Sequence, residues 1–242
     1  MKKTTIRSIV GTGFLAFASS ASAAVIFIDF TNAASATATN LDKFNHLNNV
    51  PATALSLADS TGVATTATVA VTISNGSLGG NNSGGSTALA GDALTAGFTQ
   101  VVGDSYHFTS GSDIATYTIS GLDATAMTSY TITAFGSRNV TTDTRPTQYT
   151  VSNGVPAQNE QMTANPSQPV NNTTVQVFSP ITTATGTLTF SVKGLNTSGS
   201  NQFGYINALK IESVPEPTSA LLLGSAGLLG LLRRRRAQAF PS

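Results

Sequence analysis

The chain has 242 residues with only 10% charged, no Cys and no Trp, and a formal net charge of +1. It is long enough to bury a real core, and the missing cysteine excludes a disulfide scaffold or thiolate metal site while suiting an oxidising compartment. Seven of the twelve cations sit at the two ends, so residues 24–217 hold five cations against all eleven acids, a net −6 that argues against a nucleic-acid partner.

The front end reads as a secretory signal peptide over residues 1–23. Lys2, Lys3 and Arg7 make a positive start, IVGTGFLAFASS (9–20) is an apolar run too short to span a bilayer, and Ala21-Ser22-Ala23 is an A-x-A cleavage site that leaves Ala24 first. A first core helix is the alternative, and it would need charge, length and small residues to coincide by accident.

From Ala24 to Ser213 the apolar residues recur every second position, the period of half-buried strands. VIFIDF (25–30) is a nearly continuous apolar strand. TVAVTIS (68–74) places Val69, Val71 and Ile73 on one face, ATYTIS (115–120) places Tyr117 and Ile119, and SYTITAF (129–135) places Tyr130, Ile132 and Ala134. TQYTV (147–151), TVQVF (174–178), TLTFSV (187–192) and YINALKIE (205–212) follow, the third with Leu188, Phe190 and Val192 inward. Gly, Asn, Asp and Pro punctuate these runs, with Ser152-Asn153-Gly154, Gly121-Leu122-Asp123 and Lys193-Gly194 as turn signals and LGGNNSGGS (78–86) as a flexible loop. No repeat of 20 to 50 residues stands out. The expectation is one all-β domain, residues 24–213, an antiparallel sandwich of jelly-roll or galactose-binding-like type.

Chemistry-bearing residues are sparse in this body. Gly103-Asp104-Ser105 resembles the nucleophile block of GDSL-type esterases, yet the histidines are His46 and His107 alone, neither in the Asp-x-x-His block that such chemistry uses. A turn leading into strand residues Tyr106–Phe108 explains it better, and no catalytic residue is assigned. The acids Asp29, Asp42, Asp59, Asp92, Asp104, Asp113, Asp123, Asp143 and Glu160 stand singly, read as turn caps and solvated groups rather than a glycosidase pair. No metal site is assigned and no cofactor is expected. Calcium is the one metal kept in view, because Asp/Asn-rich loops of exported sandwiches supply hard oxygens, although no D-x-D-x-D string is present. Arg138 and Arg145 flank the polar loop SRNVTTDTR, and an arginine fork suits carboxylates or hydroxyl-rich sugars; pairing with Asp143 or another loop acid is the structural alternative. The tyrosines fall mostly on strand faces and read as core.

The chain ends in VPEPTSALLLGSAGLLGLLRRRRAQAF (214–240). Pro217–Leu232 is an uncharged stretch of 16 residues, and as a helix it covers roughly 24 Å of a hydrocarbon core of about 30 Å. Arg233, Arg234, Arg235 and Arg236 would hold its far end in the cytoplasm, and Pro215 and Pro217 keep the segment before it extended.

This end, residues 214–237, resembles the PEP-CTERM sorting signal of Gram-negative bacteria: Pro215-Glu216-Pro217, an apolar transmembrane helix with small residues, then the arginine cluster. The resemblance implies recognition by an exosortase, transient inner-membrane anchoring, removal of the helix near the PEP residues, and a destination at the cell surface or in an extracellular polysaccharide or biofilm matrix. A permanent single-span anchor is the alternative. Within the body, IDF (28–30), SLADSTG (56–62), ISGLD (119–123), YTITAFGSR (130–138), TQYTV (147–151) and GYINALKIE (204–212) resemble a module of such proteins that is similar to carbohydrate-binding jelly rolls, which sometimes accompanies esterase or glycosidase domains. That likeness implies a fold, and with it three readings of function: a surface or matrix protein, a glycan-binding module, or a secreted hydrolase.

Overall fold

The computed structural model of the chain describes residues 24–31, 43–48, 54–74, 78–81, 89–99, 106–110, 113–125, 128–138, 145–153, 158–164, 171, 173–195 and 203–215. The signal peptide with Ala21 and Ala23, the residues Gly103–Ser105, Asp143, and the tail from Glu216 through Pro217, the sorting helix and Arg233–Arg236 lie outside the described residues.

The chain runs through β1 (Val25–Thr31), β2 (Phe44–Asn48), β3 (Leu55–Ala58), β4 (Ala64–Ile73), β5 (Gly79–Asn81) and a short helix α1 (Gly91–Thr95). It continues through β6 (Tyr106–Ser110), β7 (Ile114–Ser120), β8 (Thr128–Phe135), β9 (Arg145–Ser152), β10 (Gln158–Ala164), β11 (Gln176–Val177) and β12 (Ile181–Thr182). β13 (Leu188–Gly194), β14 (Phe203–Ile206) and β15 (Ala208–Pro215) complete it. The all-β expectation holds. One sheet has the order β11-β8-β15-β1-β2 with β12 also on β8; the other has the order β10-β9-β13-β7-β4-β3; a third, smaller sheet is β14-β6-β5. Pairing is antiparallel except for β1 with β2.

Alternation places the core where the period says it should lie. Facing the core are Ala115, Tyr117 and Ile119 of β7, Leu188, Phe190 and Val192 of β13, and Tyr130, Ile132 and Ala134 of β8, a strand that also buries Ser129, Thr133 and Phe135. These meet Ile26, Ile28 and Phe30 of β1 and Leu209 and Ile211 of β15 in one cluster between the two large sheets. Phe190 anchors it, with the rings of Tyr149, Tyr117 and Phe178 at 5.6, 6.2 and 6.4 Å. β1 reads as a continuous apolar run because both its faces are covered. Its Phe27 points the other way, into a second cluster with Phe44, Phe98, Phe135 and Ala93 of α1. That helix was not legible as a period; five residues long, it is held by the Ala93 N–H donating to the Thr173 carbonyl at 2.8 Å.

Three expectations need correction. The run 205–212 is not one strand: it breaks at Asn207, whose N–H donates to the Phe135 carbonyl and whose carbonyl accepts from Phe30, both at 2.9 Å, so β14 and β15 enter different sheets. The stretch 78–86 is not all loop, since Gly79–Asn81 pairs with β6. TVQVF yields only the two-residue β11 before Phe178 turns into the core, while β2, β3, β5, β10 and β12 add strands that alternation had not marked.

The small sheet closes one end of the sandwich. Tyr149 donates its phenol to the Tyr205 carbonyl at 2.7 Å, and a Cβ on Gly204 would strike the backbone of Gly194, so β14 packs directly on β13. His107 of β6 is fully buried between the sheets. Its Nε2 lies 2.9 Å from the Thr31 carbonyl, which can only accept, so Nε2 carries the proton and Nδ1 accepts from the Tyr117 hydroxyl at 3.1 Å. Burial pushes its pKa down to about 4.

Two outcomes are expected from this core. Phe190→Ala should cost about 3–5 kcal/mol in urea unfolding, because three neighbouring rings cannot collapse into the space. As the pH falls, the unfolded chain protonates His107 first, near 6.5, while the folded chain resists until about 4. Stability is therefore lost across that window, by on the order of 3 kcal/mol, and His107→Gln should flatten this part of the pH dependence of the unfolding midpoint.

Candidate functional site

The two arginines singled out by the sequence come together. Arg138 follows β8, on backbone fixed by two asparagines: Asn171 Nδ2 donates to the Gly136 carbonyl at 2.8 Å, and Ser137 N–H donates to Asn207 Oδ1. Arg145 opens β9, and Phe203 opens β14. The Arg138 and Arg145 guanidinium carbons lie 5.8 and 5.1 Å from the centre of the Phe203 ring, so both cations share one π face system. Ring and cations attract, while the two cations repel each other. All three residues are partly accessible, although Nη1 of Arg145 is itself buried. Sequence reading found the arginines from their rarity but not Phe203, which reaches them only through the fold. The alternative partner Asp143 lies outside the described residues.

At the opposite end of β8 and β15, Ala24 meets the first residue of the C-terminal motif. Ala24, the residue that the expected signal-peptide cleavage would leave first, donates its N–H to Ser213 Oγ at 2.8 Å, and Ser213 N–H donates back to the Ala24 carbonyl at 3.0 Å. β1 and β15 continue from there in register, Val25 opposite Glu212 and Asp29 opposite Ala208. β15 itself runs on through Val214 to Pro215, opposite Thr128 of β8. The extended backbone expected before the sorting helix is thus a strand built into the sheet, not a free linker, as far as Pro215. A cavity of about 300 Å³ opens beside this seam, lined by Ala24, Ile26, Thr66, Leu122, Tyr130 and Ile211 among others.

The acids divide into two kinds. Asp59 and Asp123 cap turns as expected: Asp59 Oδ1 accepts from the Thr61 N–H, Thr61 hydroxyl and Val63 N–H, and Asp123 accepts from Thr125 and Thr128. Hydrogen bonding from the Thr61 side chain lowers the Asp59 pKa, and that from the Thr125 backbone lowers the pKa of Asp123. Asp29 departs from the solvated reading. It is 1% exposed, and its Oδ2 lies 2.8 Å from His46 Nδ1. The parallel pairing of β1 with β2 sets these two residues opposite each other, a juxtaposition that residues 17 apart in sequence do not announce. Among the described residues no three His, Asp or Glu side chains gather as around a metal ion. No helix among them is long and apolar enough to cross a membrane. The esterase-like Ser105 lies outside the described residues, and its neighbour His107 has both ring nitrogens engaged in the core.

Comparison with curated proteins gives no match to the chain. Residues 213–236 match the PEP-CTERM protein-sorting motif. The chain therefore carries the signal of an extracellular protein processed by an exosortase, joined to a body whose described residues are mostly β-strand.

Proposed function

We propose that this is a non-catalytic surface or matrix protein of an exopolysaccharide-producing cell, held briefly in the inner membrane by its C-terminal helix and then released to associate with extracellular polysaccharide. The observation that carries the reading is the placement of the two sites. Pro215 and Ala24 leave the sandwich at one end of β15, while Arg138, Arg145 and Phe203 lie past the other end. β8 and β15 stay paired over eight positions, which at about 3.3 Å per residue separates the ends by roughly 23 Å. While the tail is anchored, the arginine end faces away from the bilayer. A body with a net −6 that gathers two cations around one ring there offers an acidic polysaccharide a local contact.

The glycan-binding reading is the sharper form of the same proposal, with uronate-type carboxylates on Arg138 and Arg145 and a sugar face on Phe203. Polar surface, exported state and the engagement of His107 in the core support a binding role over a hydrolytic one.

Pull-down on a uronate-containing polysaccharide should retain the protein in low salt and lose it as salt screens the contact. The double substitution Arg138→Ala, Arg145→Ala should weaken retention about tenfold, near 1.4 kcal/mol, with the unfolding midpoint little changed. Unchanged retention would remove the arginines from the site. Replacing Arg233–Arg236 with glutamine in cells should leave the tail on the chain, read by intact mass, because the stop that presents the signal to the enzyme is gone.

A further inference from the structure

The sorting motif begins at residue 213, inside the last strand of the folded body. Ser213 is bonded to Ala24, beside β1, through its N–H and its hydroxyl, and it lies opposite Tyr130 in the register with β8. Val214 sits opposite Ser129, whose hydroxyl donates to its carbonyl at 3.3 Å, and Pro215 sits opposite Thr128. Two residues earlier, Ile211 is 1% exposed in the inter-sheet core.

Proteases take the residues around the scissile bond as an extended strand and bind their backbone N–H and C=O groups. The Ser213 N–H is already committed to Ala24 and the Val214 backbone to its register with Ser129, so freeing this stretch means peeling the end of β15 from both neighbours, with core residues behind it. We infer that Ser213–Pro215 remains in the mature protein as the finished end of β15, and that the exosortase acts on the C-terminal side of Pro215. This rests on the exosortase reading above. The C–N bond that breaks lies beyond Pro215. Its carbonyl carbon passes to water, giving a carboxylate, or to an acceptor amine or hydroxyl, giving an amide or ester; the nitrogen leaves with a proton as the amino terminus of the helix fragment.

The test uses the full chain in its own cells, with peptide sequencing of both products. The helix fragment from membranes is expected to begin at Glu216 or later, and the released body to end at Pro215 or later. A helix fragment that begins at Pro215 or earlier would overturn the inference while leaving exosortase processing intact. Full-length chain with its arginines, and no fragment of either kind, would instead overturn the exosortase reading and the inference with it.

Discussion

The structure depends on the insertion of β15 between β1 and β8. The last segment of the body thus supplies a central strand rather than an edge. Leu209 and Ile211 fill the inter-sheet core from it, and Ala208 reaches the outer cluster beneath α1. With no disulfide to tie the ends, the long-range pairing of residue 25 with residue 212 is what closes the domain. Such pairing comes late, since loop closure over most of the chain precedes any gain from contact. The sandwich is completed only when the stretch that leads into the sorting motif takes its place between β1 and β8.

That dependence makes folding and sorting neighbours in space. The same strand that completes the core carries the first residues of the motif, and the strand beside it starts at Val25, next to Ala24. Both ends leaving together is common in compact domains. Here it sets the start of the sorting motif at one end of β8 and β15 and the Arg138, Arg145 and Phe203 cluster past the other.

The interior is not purely apolar, and its polar groups do structural work. His107 ties β6 to β1 and β7 through the Thr31 carbonyl and the Tyr117 hydroxyl, Asn207 turns the chain from the small sheet into the large one, and Asp29 holds His46 across a parallel pair. Each is costly if left unpaired, so together they select one arrangement of strands that Val, Ile and Thr alternation alone would leave degenerate.

The sequence by itself determined the C-terminal sorting motif, the all-β class and the inward faces of β4, β7, β8 and β13, because a motif and a two-residue period are both local properties written along the chain. Turn residues such as Asp59 and Asp123 were legible for the same reason, since a cap bonds only to residues a few positions away. Tertiary structure alone decided that β1 pairs in parallel with β2, that 205–212 divides at Asn207, that Phe203 lies between Arg138 and Arg145 in their range, and that Ala24 meets Ser213. Those outcomes join residues tens to nearly two hundred positions apart. Which strand lies beside which is settled by the packing of two sheets on a shared core, and no periodicity along the chain records it.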